Sequence, residues 1–107
     1  MLKLKFRDLH TTVVNSVNSA HIMDFLFQEC VIGQQDMNYL LEYKNNQEQT
    51  RRLLNLLYAS ENPQSFVKLY AAIKEEAHLQ WLIDRVDSLD LIGLLQQRYI
   101  NEPTGEP

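Results

Sequence analysis

Acidic and basic side chains are sorted along this chain. Residues 19–43 carry Asp24, Glu29, Asp36 and Glu42 with no Lys or Arg. Residues 46–58 carry Arg51 and Arg52 against one acid, Glu48. The first seven residues add Lys3, Lys5 and Arg7. The chemistry open to such groups is ionic docking, in which an acidic face meets a basic face on another copy or partner. Folding gains little from them, since exposed ion pairs contribute only about 0.2–1 kcal/mol. Close pairs desolvated at an interface couple by roughly 1.5–7 kcal/mol. The plainer alternative is two solvated helix faces, with Glu48 simply pairing with Arg51 or Arg52 three or four residues on. Adjacent arginines stand about 100° apart on a helix. One can therefore anchor a carboxylate bidentately while the other lies at an interface edge.

Other chemistry is poorly provided for. His10, His21 and His78 are far apart and show no short metal-ligand spacing. Cys30 is the single cysteine, so neither an internal disulfide nor a Cys-based zinc site is expected. It reads as a buried thiol at a helix end. With no Gly-rich phosphate loop and no catalytic constellation, the expectation is a non-enzyme without cofactor or metal. The formal net charge of −4 argues against nucleic acid and against an anionic membrane. The apolar runs are too short to span a bilayer, and no secretory signal is visible. Single-cysteine usage fits a reduced, cytoplasmic setting.

These side chains need a scaffold. The 107 residues, 45% of them hydrophobic, suit one domain. Folding at this size buries roughly 60–70% of the unfolded surface. Three Gly and three Pro, none before residue 33, predict a helical protein. A first helix over 2–17 has Phe6, Leu9, Val13 and Val17 on one face. Its β-branched run Thr11-Thr12-Val13-Val14 weakens and bends it. Ser19 is the expected N-cap of a second helix over 20–29 that buries Ile22, Phe25, Leu26 and Phe27. A third, over 34–43, buries Met37, Leu40 and Leu41. Asn46 and Gln49 form a capping box for a fourth over 47–59, burying Leu53, Leu54 and Leu57. Asn62-Pro63 opens a fifth over 63–76, with Phe66, Leu69, Tyr70 and Ile73 in register. A sixth over 78–87 buries Leu79, Leu82, Ile83 and Val86 and leaves Trp81 half exposed. Tyr58 and Trp81 either finish the core or sit at an interface, where aromatics are enriched. Ser88-Leu89-Asp90 starts a segment with Leu91, Ile92, Leu95 and Tyr99, either a seventh helix or a continuation of the sixth. Short helices on short turns imply a compact bundle, whose topology the pattern alone leaves open.

The order of motifs is more specific. His21-Ile22-Met23-Asp24 precedes a short helix, then Gln49-Thr50-Arg51-Arg52-Leu53-Leu54, then Ser65-Phe66-Val67-Lys68-Leu69-Tyr70-Ala71-Ala72-Ile73. This order resembles a caspase recruitment domain (CARD). Within that family it is similar to the N-terminal CARD of the apoptotic protease-activating factor adaptors, an insect adaptor included. Tyr99-Ile100-Asn101-Glu102-Pro103 resembles the segment that follows the CARD in a nematode member. Glu75-Glu76-Ala77-His78 lacks the Gly often found at that turn.

The resemblance implies an all-α, six-helix antiparallel Greek-key bundle of the death-fold type, with its first helix bent and a seventh C-terminal helix to be tested. The resemblance covers about residues 5–87, so the CARD is expected at 1–87; residues 88–100 extend beyond a minimal CARD as a helical extension, and 101–107 read as a linker, after which a longer protein is expected to continue. It implies a non-catalytic module of an apoptosome adaptor that recruits an initiator caspase by CARD–CARD binding, with self-association as a further mode. Carried over residue by residue, the acidic face is Asp24, Glu29 and Asp36, and the basic face is Arg51, Arg52, Arg7 and Lys3. Asp24 is the firmest transfer. A caspase prodomain or an innate-immune scaffold CARD keeps the fold and changes the role. A helix-turn-helix DNA binder is the competing class, disfavoured by the acidic total and the lack of a basic recognition helix.

Overall fold

A computed structural model describes residues 2–90 and Gly93, and every described element is helical. The expected first helix divides into α1 (Leu2–Asp8) and α2 (His10–Ser16). The break falls at Leu9, upstream of the β-branched run that was expected to bend it. Hydrogen bonding continues through the kink, from Leu9 N to the Lys5 carbonyl and from Val13 N to the Leu9 carbonyl. The two halves bury against different neighbours: α1 packs on the two closing helices, and α2 packs on the long helix over Asn46–Ala59. A straight rod cannot follow both.

The remaining helices are α3 (Ser19–Gln28), α4 (Gln34–Leu40), α5 (Asn46–Ala59), α6 (Ser65–Lys74) and α7 (Gln80–Ser88), the last entered through a 3₁₀ turn at Ala77–Leu79. Taking α1 and α2 as one bent arm gives a six-helix bundle. Its centre is α3, held between α5 and α6, while α4 bridges α3 and α5. Phe6, Ile22, Leu26, Leu53, Leu57, Leu69, Ile73 and Leu82 form one shared, fully buried core.

Local starts and stops differ from expectation in instructive ways. Asn18, not Ser19, caps α3, its side chain accepting from His21 N–H. Asn45, not Asn46, caps α5, accepting from Glu48 N–H at 2.9 Å. Asn62 and Pro63 form a turn in which the Asn62 side chain accepts from Gln64 N–H, so α6 begins two residues later than expected. Helix α4 stops at Leu40, which is fully buried, and the turn that follows swings Leu41 out to 51% exposure. Phe27 is also exposed, at the last turn of α3. Tyr70 is only half-buried, with its hydroxyl donating to the Asp87 carboxylate at 2.8 Å. Trp81 lies off the apolar stripe of α7 and is 44% exposed.

Cys30 is exposed rather than buried, and its φ is 62°. It terminates α3 in a Schellman arrangement. Val31 N–H donates to the Leu26 carbonyl, and Cys30 N–H donates to the Phe27 carbonyl. Val31 then folds back onto the core. The segment through Leu91, Ile92, Leu95 and Tyr99, expected as a seventh helix or a continuation of the sixth, and the expected linker at 101–107 lie outside the described residues.

The side chains freed from capping make a polar knot that fixes α3 and α4 against α5. Asn46 accepts from Ser19 N–H at 2.7 Å and donates to the Val17 carbonyl at 3.0 Å. Gln49 donates to the carbonyls of Leu40 and Tyr43, both at 2.9 Å, and accepts from the buried Ser19 hydroxyl. Two backbone joints meet there with their polar groups satisfied, which burial demands.

Candidate interaction surface

The acidic candidates lie on two neighbouring helices but in three different states. Asp24 is exposed on the middle of α3. Among the described residues, no hydrogen bond or ion pair engages its carboxylate. Ile22 and Met23 beside it are fully buried and hold that turn on the core. Glu29 ends α3, where the helix dipole disfavours an acid. Lys68 of α6 offsets this with an ion pair at 3.0 Å. Asp36 lies in the first turn of α4 and accepts from Gly33 N–H at 3.0 Å, so it is occupied as a helix-capping group. Of these three acids, Asp24 is the one left unengaged.

The basic candidates separate as well. Glu48 takes both arginines of α5: Arg51 Nη1 donates at 2.7 Å and Arg52 Nε at 2.8 Å. The three groups together carry one net positive charge rather than two. Arg52 then leans away, its guanidinium 4.7 Å from the Tyr43 ring at the connection between α4 and α5. Arg51 lies about 100° round the helix from it, close enough to His10 of α2 for its charge to oppose protonation there. Arg7 of α1 lies 5.5 Å above the ring of Tyr58, which is two turns along α5 from Arg51 and on the same face. Arg7 and Arg51 thus form one basic surface across α1, α2 and α5. Lys3 precedes Arg7 by four residues on α1. It lies a turn away, lining a cleft of about 480 Å³ with Leu2, Leu57, Pro63, Phe66 and Val67.

His10 was not among the candidates, and Tyr58 was left open between core and interface, yet the two meet at this surface. The Tyr58 ring stacks on Phe66, with centroids 5.6 Å apart, and its hydroxyl is 2.8 Å from His10 Nδ1. Burial, and after it the charge of Arg51, hold the His10 pKa below 6.5. Burial pushes the Tyr58 hydroxyl pKa up, with Arg7 pulling the other way. No local motif signals the pair, because 48 residues separate them. The one hint was that Tyr58 sits beside the apolar stripe of its helix, neither clearly core nor clearly surface.

Among the described residues, no cluster of three or more His, Cys, Asp or Glu side chains is disposed to hold a metal ion. No described helix is long and apolar enough to cross a membrane. Residues 4–86 match the caspase recruitment domain family, and the chain belongs to it. Its helical bundle is the death fold of that family. Domains of this family are non-catalytic modules that bind other death-fold domains homotypically in apoptotic and innate-immune signalling. No curated protein and no solved structure matches the chain significantly.

Proposed function

We propose that this CARD belongs to an apoptosome-type adaptor and recruits an initiator caspase through the caspase's own CARD. The domain would occupy residues 1–87, ahead of the rest of the adaptor. Assembly of several adaptor copies then concentrates the bound zymogens, and effective concentration drives their activation. The adaptor role rests on the likeness of Ile22-Met23-Asp24 and Ser65-Phe66-Val67-Lys68-Leu69-Tyr70 to the protease-activating factor adaptors. The docking mode rests on one observation. An unengaged carboxylate, Asp24, projects from α3, while Arg7 and Arg51 share a surface on α1 and α5. Opposed charge on separate helices leaves each face free for a different neighbour. Arg52, Glu29, Asp36 and Lys3 are then peripheral contacts.

Charge reversal tests this reading. Asp24→Arg and Arg51→Glu, each verified as folded by circular dichroism, are measured against purified initiator-caspase prodomains. The face that docks loses affinity by roughly tenfold or more, the equivalent of about 1.4 kcal/mol. If the basic face is the one used, Glu48→Gln tightens binding, because it releases Arg51 and Arg52 from their shared acid. Undiminished binding by folded Asp24→Arg, Arg51→Glu and Arg52→Glu chains rejects the electrostatic mechanism.

A further inference from the structure

We propose that the cleft between α1 and the α5–α6 turn is an anchor site for an aromatic side chain of a second copy of this chain. Phe27 of one copy seats in the cleft of the next, with Asp24 beside it on Lys3. The inference goes beyond the proposed function, because it joins like copies and needs no caspase.

The cleft holds about 480 Å³, within the ordinary range of ligand pockets, about 300–1,000 Å³. Its lining includes the buried Leu57 and Phe66 and, on α6, Val67, which is 45% exposed. Phe66 also stacks on the Tyr58 ring that lies under Arg7, so the cleft is continuous with the basic surface. The charges of the cleft come from two sides, Lys3 from α1 and Glu61 from the turn. Both are exposed, and among the described residues no ion pair engages either. A carboxylate carried in beside an apolar group is drawn to the α1 side and repelled by the turn, which fixes the orientation of what docks.

Helix α3 carries the matching group. Ala20, Asp24 and Phe27 are all exposed on it, at the four- and three-residue spacings that make neighbours on a helix surface. Phe27 is 41% exposed. The other two exposed aromatic rings have partners within the chain: Tyr39 meets Tyr43, and Trp81 lies under Arg85. Among the described residues no ring contact engages Phe27, just as nothing engages Asp24. The Schellman bonds of Cys30 and Val31 fix the backbone immediately after Phe27, so little ordering is needed when it docks. One copy thus presents a free aromatic ring and a free carboxylate side by side. Another presents an apolar cleft with a free ammonium on its α1 side. Donor and receiver lie on different helices, so the contact is heterologous and propagates from copy to copy.

The test follows the whole chain by sedimentation equilibrium over a concentration series. The expected result is reversible association with a dissociation constant below about 1 mM. Phe27→Ala removes an exposed ring and Val67→Glu puts a charge in the cleft lining; each, verified as folded by circular dichroism, should weaken association about tenfold or more. Mixed, the two variants should pair one-to-one with wild-type affinity and go no further, since each keeps the half that the other lacks. Asp24→Lys should weaken association, and Lys3→Glu added to the same chain should restore it. A wild-type chain that stays monomeric at about 1 mM overturns the proposal. Association that survives in folded Phe27→Ala or Val67→Glu overturns it too, and so does loss in both without pairing in the mixture. Caspase binding is read in a separate assay, so either reading can fail while the other stands.

Discussion

Replacing Cys30 by glycine should stabilise this domain. Cys30 holds a φ of 62° at the end of α3, in the left-handed region where a Cβ costs about 1–2 kcal/mol. The two Schellman hydrogen bonds, from Val31 to Leu26 and from Cys30 to Phe27, require that conformation and involve only backbone. Glycine keeps them and removes the Cβ. The opposing cost is the wider freedom of glycine in the unfolded chain, about 0.5–1 kcal/mol. The thiol is exposed, so its removal leaves no cavity. The net gain is about 0.5–1 kcal/mol, a rise in Tm of roughly 2–8 °C for a domain of this size. Cys30→Ala is the control, because it removes the thiol and retains the Cβ; it should stay within about 0.5 kcal/mol of wild type. Urea denaturation with thermal melting decides the matter. A Cys30→Gly chain no more stable than Cys30→Ala would refute the reasoning from backbone strain.

Two further perturbations probe other parts of the fold. Gln49→Ala strips the carbonyls of Leu40 and Tyr43 and the Ser19 hydroxyl of their shared partner, and should lower stability by about 2–4 kcal/mol in urea denaturation. The pH dependence of stability should carry a His10 component of definite sign. The folded pKa is depressed, so its contribution is fully present above pH 6.5 and is lost as pH falls through the folded value. Urea midpoints between about pH 8 and pH 5 should show that component in wild type and not in His10→Gln.

The helices themselves were legible because their stripes are clean. Leu53, Leu54 and Leu57, and Leu79, Leu82, Ile83 and Val86, all lie in the core as their spacing requires. What the sequence concealed was how polar residues divide their work. Asn18 and Ser19, like Asn45 and Asn46, are adjacent and chemically near-equivalent as caps. Only the packed structure shows that the first of each pair caps, while the second reaches across to the other joint. The site was half legible for the same reason. Charge sorting along the chain brought forward Asp24 and Arg51, but pairing between distant segments set their standing. Glu29 meets Lys68 from 39 residues away, and His10 meets Tyr58 from 48. Cys30 misled because cysteine is usually buried, whereas here a backbone requirement decided its place.

The packing of α1 against α6 and α7 bears on how the chain is made. Helix α1 is made before α6 and α7, yet it docks on both. At roughly 5–20 residues per second, α1 waits on the order of ten seconds before its partners exist. Throughout that interval the Phe6 side of the arm has nothing native to bury against. A nascent chain halted before α7 should therefore carry an open apolar seam and draw chaperones, and the domain should close only once α7 has emerged. Within this bundle, synthesis runs from α1 to α7, but the core closes only when the two meet.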